Sequence, residues 1–164
     1  MVAGLAKEMM TLDTEISATE TMIEDRFRRH RHAEIILSMP GFGVVPGAEF
    51  LAATGDDMST FDSVDRLAGM SGLAPVPPDS GRISANLKRP RRYDRRLLRA
   101  CYLSAQIAIH TDAASRTYYD RKRSEGKTHT QAVPAVARPR PNILWAMLRD
   151  HRAYQPTAPN AAAA

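Results

Sequence analysis

Ser80-Gly81-Arg82 is the first place in this sequence where side chains could do covalent chemistry. A serine hydroxyl is a weak nucleophile at neutral pH and needs a base or a cationic setting. Arg82 and the basic run beyond it could stabilise a phosphate under attack. They cannot serve as the base, because a guanidinium does not deprotonate in proteins. On its own, a serine beside a glycine in a polar segment also reads as an ordinary turn.

The basic run is the second such place. Lys88, Arg89, Arg91, Arg92, Arg95, Arg96 and Arg99 crowd together around Tyr93. Arginine dominates, and its planar fork matches phosphate oxygens. So many like charges repel one another unless a polyanion neutralises them. The run therefore points to DNA or RNA bound with strong salt dependence, with Tyr93 able to stack on a base or sugar. A solvated surface loop is the plainer alternative.

The third is the turn in Leu37-Ser38-Met39-Pro40-Gly41-Phe42-Gly43-Val44-Val45-Pro46-Gly47-Ala48. Two helices joined by a tight Gly-Phe-Gly turn resemble a helix-hairpin-helix. Gly41 and Gly43 permit positive φ and close backbone approach. The free N–H groups at the start of the second helix would then face a phosphate. Such contacts carry no base information, so binding would be sequence-nonspecific. A simple helical hairpin with a glycine turn is the alternative. Other candidates carry less. His30 and His32 flank Arg31 without the cysteine or carboxylate spacing of a metal site. His110 and His129 stand alone, Cys101 lies on an apolar face, and Asp56-Asp57 reads as a turn. No metal ligand set and no phosphate-cradling or dinucleotide fingerprint is found.

The composition fits this reading. The 164 residues are 43% hydrophobic, 25% charged and only 6% aromatic, so a core must rest on aliphatic side chains. Lys and Arg number 23 against 18 Asp and Glu, a net charge of +5 concentrated in Arg82–Arg99. A single cysteine excludes an internal disulfide. No apolar run approaches the roughly 20 residues needed to span a bilayer. The start shows no apolar stretch behind a basic end, so the expected location is the cytoplasm, with no membrane partner.

Mainly helical elements must position these residues. Leu5, Met9, Leu12, Ile16, Thr19 and Ile23 alternate spacings of four and three, which predicts one helix from residue 3 to about 31. The stripe suits a coiled coil, or an amphipathic helix folded back on the rest. A short helix over Glu34–Met39 ends at Pro40, and Val44–Thr54 forms another, stopped by Gly55. Ser63 caps a helix through Met70. Leu73–Tyr93 reads as loop or short extended pieces. Asp94 caps a helix with Leu97, Leu98, Cys101, Tyr102, Ala105, Ala108 and Ile109 on one face. Asp112 caps a helix to Ser124, with Gly126 as its stop. Thr128 starts a further helix containing Pro134, and Pro141 suits the first turn of a last helix through Arg149. The expected organisation is a coiled-coil helix over 1–33, a helical domain with the hairpin over 34–154, and a disordered tail over 155–164.

The order of these motifs, together with Glu49–Asp56, Arg66–Pro75, Asp79–Arg82, Arg95–Arg99, Tyr118–Arg123 and Leu144–Asp150, resembles the C-terminal domain of the DEDD-type insertion-sequence transposases, which include the Piv-like DNA invertases. The likeness covers about residues 34–154. It implies a two-part protein, in which an N-terminal RuvC-like domain holds four acidic residues and Mg²⁺ and a coiled coil links it to this one. It implies that Ser80 is the nucleophile, forming a phosphoserine link to DNA, and that a structured guide RNA and oligomers are partners. The chain departs from the pattern in three ways. The RuvC-like domain is missing, so no cofactor is expected in this chain, and Mg²⁺ only with a RuvC-like partner domain. Ala85 stands where relatives have glycine. Pro134, Pro139 and Pro141 interrupt what relatives read as a continuous helix, where an interior proline costs about 3 kcal/mol.

The expected function is therefore DNA transposition or site-specific recombination, by a transposase half that binds DNA and carries Ser80. Without the acidic domain it is expected to be inactive alone. The alternatives are a nucleic-acid-binding remnant with no catalysis, or an inhibitor that joins a full-length transposase through its coiled coil.

Overall fold

The computed structural model describes residues 2–55, 58–74 and 91–156. Ser80, Arg82, Ala85, Lys88 and Arg89 lie outside these, as do the expected short strands of the basic loop. Among the described residues the chain is helical, with no strand. The helices are α1 (Val2–Arg28), α2 (Ala33–Leu37), α3 (Val44–Thr54), α4 (Val64–Met70), α5 (Arg95–Thr111), α6 (Ala113–Ser124), α7 (His129–Ala137) and α8 (Arg140–Arg149). A short 3-10 turn at Met58–Thr60 precedes α4.

Local chemistry explains most helix ends. The Ser63 hydroxyl accepts from the Arg66 N–H, and the Asp94 carboxylate from the Arg96 and Leu97 N–H groups. Asp112 accepts from the Ser115 N–H, and Thr128 forms a capping box with Gln131. Gly55 and Gly126 take positive φ just past α3 and α6. Pro134 does sit inside α7, and the helix runs through it, with the Arg138 N–H bonding to the Pro134 carbonyl at 2.9 Å. Pro139 and Pro141 separate α7 from α8 and occupy the latter's N-cap and first turn, where a missing N–H is harmless.

Helix α5 is the centre of the packing and touches α3, α6, α7 and α8. Its buried face is Leu97, Ala100, Cys101, Ser104, Ala105, Ala108 and Ile109. Most of these side chains are small, which lets neighbouring backbones come close. Phe50 of α3, Leu67 of α4, Val133 of α7 and Leu144 and Leu148 of α8 complete a continuous core. A Cβ on Gly47 would lie 2.6 Å from the Phe27 ring and 3.2 Å from Ile36, so this glycine lets both α1 and α2 seat on α3.

Helix α1 is different. Leu5, Met9, Leu12 and Ile16 are all more than half exposed, and Phe27 is its one buried residue. Only its C-terminal end, at Phe27, packs against α2 and α3. Its apolar stripe meets solvent along most of its length.

Candidate nucleic-acid interface

The arginine cluster sits at the start of α5. Arg91, Arg92, Arg95 and Arg96 are all exposed. The first turn of α5 carries no acidic residue apart from the capping Asp94. The N-terminal end of a helix already bears partial positive charge, so cations there are unfavourable for the isolated fold. Such an arrangement is suited to a bound anion. Arg99, one turn further on, differs from the others. It pairs with Glu49 of α3 at 3.4 Å, which ties its charge to the fold.

The chain enters and leaves the 75–90 segment at this same point. The Asp94 N–H donates to the Met70 carbonyl at 2.8 Å, joining the end of α4 to the start of α5. Gly72, at φ 68°, lies against the Tyr93 ring, and a Cβ there would come within 2.8 Å of it. Tyr93 thus helps close the neck of the segment, and part of its ring is engaged by Gly72. The described residues on either side of the 75–90 segment, Met70 and Gly72 before it and Tyr93 and Asp94 after it, meet beside the arginine cluster.

The α2–α3 turn is built on Pro40–Gly43. Its two glycines do different jobs. Gly41 has φ 82°, and its Cα faces the α5 backbone, where a Cβ would press on the Ser104 carbonyl and lie 2.8 Å from the Ala108 nitrogen. Its small size serves helix packing. Gly43 is extended, caps α3 and has open space around it, so the close approach of a phosphate is sterically free there. Pro46 lacks an N–H, which leaves Val44 and Val45 as the free donors of the first turn. Phe42 anchors the turn by packing edge-on to Phe50, ring centroids 6.3 Å apart.

The turn and the arginine cluster are not brought to one point. Gly41 rests on Ser104 and Ala108, whereas Arg95 begins the helix. At 1.5 Å per residue the two lie about 13–20 Å apart along α5.

Sequence reasoning missed Arg140. It is 3% exposed, and its Nη1 donates to the Pro40 carbonyl at 2.8 Å and the Ser104 hydroxyl at 2.6 Å. It thereby holds the turn against α5. Its Nε has no hydrogen-bond partner, and no carboxylate pairs with it among the described residues. Burial pushes the guanidinium down to about 10. The only sequence signal was its place between two prolines.

Of the remaining candidates, Asp56-Asp57 lies outside the described residues and His110 is exposed. Cys101 is fully buried, and burial raises its thiol to about 12. His129 is hydrogen-bonded to the Tyr119 hydroxyl at 2.9 Å. The rings of His30 and His151 each lie 5.5 Å from that of His32. Among the described residues no three His, Cys, Asp or Glu side chains gather in a way that could hold a metal ion. No helix there is long and apolar enough to cross a membrane.

A family model described as Transposase IS116/IS110/IS902 family matches residues 33–120, more than half of the chain. The chain belongs to this transposase family. The matched span of the family runs from α2 through α5 into α6 and so contains the turn, the 75–90 segment and the arginine cluster. Among family relatives, the chain is 76% identical over 163 residues to the insertion element IS900 uncharacterized 42 kDa protein of Mycobacterium paratuberculosis, covering 99% of this chain and 41% of that protein. It is 49% identical over 159 residues to the insertion element IS116 uncharacterized 44.8 kDa protein of Streptomyces clavuligerus, covering 97% and 40%. It is 30% identical over 128 residues to the pilin gene-inverting protein of Moraxella bovis, covering 76% and 39%. The chain thus spans about 40% of the length of these relatives.

Proposed function

We propose that this chain grips the DNA backbone with the arginines at the start of α5, as the DNA-holding part of a protein for transposition or site-specific recombination. The observation that carries the reading is the placement of Arg91, Arg92, Arg95 and Arg96, exposed, at the positive end of a 17-residue helix. That placement is unfavourable to the isolated fold, is offset in part by the capping Asp94 carboxylate, and would be relieved further by a bound anion. Arg82, Lys88 and Arg89 add positive charge to the sequence just before these arginines, and the open backbone at Gly43 offers a second phosphate contact. Relatives whose names refer to insertion elements and to the inverting of a gene support DNA as the polyanion. A structured guide RNA presents the same phosphates and would meet the same arginines.

Ser80 is the nucleophile in this reading, as the resemblance implies; the described residues on either side of its segment, Gly72 and Tyr93, pack together beside the arginines. The metal chemistry belongs to a RuvC-like acidic domain with Mg²⁺. The described residues offer no ligand set for that ion. Helix α1 acts as the coiled coil, pairing with a second copy or with a longer relative through Leu5, Met9, Leu12 and Ile16. Titration of the protein with a labelled DNA duplex in dilute buffer tests the central point. Salt-sensitive binding is expected, and failure to bind duplex at low salt overturns the reading.

A further inference from the structure

A pocket of about 510 Å³ opens where α6, α7 and the start of α8 meet the Met39–Pro40 turn. None of its residues belongs to the arginine cluster. Its walls are mostly apolar and aromatic, formed by Tyr118, Val136, Ile143 and Tyr154. Polar groups of both kinds are set into them: the Asp112 carboxylate, the Asn142 amide and the buried Arg140. Arg140 has an unused Nε–H and no carboxylate partner among the described residues, an arrangement that is unfavourable in an interior without a further acceptor. Arg138 stands exposed at the rim, and Arg121 lies 4.9 Å from the Tyr118 ring centroid.

The mixture narrows the occupant. A bare phosphate would meet the Asp112 carboxylate and apolar walls, both unfavourable to it. An apolar peptide side chain would leave the Asn142 amide, and the Asp112 oxygen that does not cap α6, without a partner. A nucleobase has apolar faces, an edge carrying donors and acceptors, and a phosphate one bond network away. We propose that this pocket takes a single nucleobase turned out of a DNA duplex, its ring among Tyr118, Val136 and Ile143, its edge on Asn142, Asp112 and Arg140, and its phosphate on Arg138. The proposal rests on DNA being the partner, and it is separate from the arginine cluster that grips the paired backbone. Enzymes that act on DNA commonly stabilise an unstacked base in this way.

The test uses the full chain, a short paired duplex, and the same duplex carrying one unpaired 2-aminopurine. The bulged duplex should bind about tenfold more tightly than the paired one, in line with the strength of base–aromatic stacking, with a change in 2-aminopurine emission. Ala114 lines the pocket and is exposed, so Ala114→Trp fills the space without removing core packing. That variant should bind the bulged duplex no better than the paired one and should keep its affinity for the paired duplex. An abasic bulge should lose the preference. Equal affinity for bulged and paired duplexes overturns the proposal. So does a preference that survives Ala114→Trp, or one that persists with the abasic bulge. Tighter binding of single-stranded RNA than of single-stranded DNA at the site sensitive to Ala114→Trp overturns the choice of DNA. If paired duplex does not bind at all, the arginine-grip reading fails, while a single-stranded oligonucleotide with 2-aminopurine still reads the pocket.

Discussion

Replacing Arg91, Arg92, Arg95 and Arg96 together by alanine should change the salt dependence of DNA binding by a calculable amount. Each phosphate neutralised by a cation contributes about 0.9 to the fall of log K with log salt on duplex DNA. Four exposed arginines therefore account for a slope of about 3.6. Raising salt from about 50 to 200 mM should then weaken the unaltered protein about 150-fold more than the variant. Arg99 serves as an internal control. Its charge is tied to Glu49 at 3.4 Å, so Arg99→Ala should change the slope by well under the single-site value. Stability should move the other way from affinity. Arg95 and Arg96 occupy the first turn of α5, where removing a cation gains about 0.3 kcal/mol or more per site. Fluorescence anisotropy across a salt series, with a denaturant melt of each variant, reads all three quantities. An unchanged slope in the fourfold variant refutes the reasoning, as does a loss of affinity that tracks a loss of stability.

The two turn glycines should separate cleanly. Gly41→Ala combines a positive φ with a Cβ pressed on the α5 backbone, so denaturant unfolding should show a loss of about 2 kcal/mol or more, whereas Gly43→Ala, in open space, should stay within about 0.5 kcal/mol. Cys101 should resist a thiol reagent at pH 8, because the folded thiol titrates near 12, and should react at the rate of global opening as denaturant is added. Ultracentrifugation should show self-association that Leu12→Glu with Ile16→Glu abolishes. The melting of the α2–α8 core should be unaltered in that variant, since both side chains are more than half exposed in the single chain.

What could be read in the sequence was what is decided within a few residues. The boundaries of α3 to α6 follow from Ser63, Asp94, Asp112 and the glycines that end helices, all acting on backbone groups within one turn of themselves. The buried face of α5 followed from its period. The burial of Ala100 and Ser104 did not, because their small size matters only for what packs against them. Arg140 was illegible for the same reason. Its partners, Pro40 and Ser104, lie 100 and 36 residues away, and no local pattern marks an arginine as interior. Gly41 looked like a phosphate-approach glycine, while its close neighbour is the backbone of α5. The sequence marks a residue as small, and the fold decides which neighbour uses the space.

In the proposed grip, helix α5 is a spacer between two contacts that cannot share one phosphate. The arginine cluster lies at its first turn, and the Pro40–Gly43 turn is locked against its later half by Gly41 and Arg140. A gap of about 13–20 Å corresponds to about four to six steps along a strand at 3.4 Å each. One duplex could touch both only by lying along α5. Since Asp94 caps α5 and also bonds back to α4, the orientation of the arginines and the root of the serine segment are set by one residue. Gly72→Ala, which sets a Cβ 2.8 Å from the Tyr93 ring at a positive φ and leaves the Asp94 carboxylate on its cap, loosens this root alone; if Ser80 is the nucleophile proposed above, it should leave DNA affinity nearly intact while lowering strand joining, a split that a purely electrostatic role for the region does not produce.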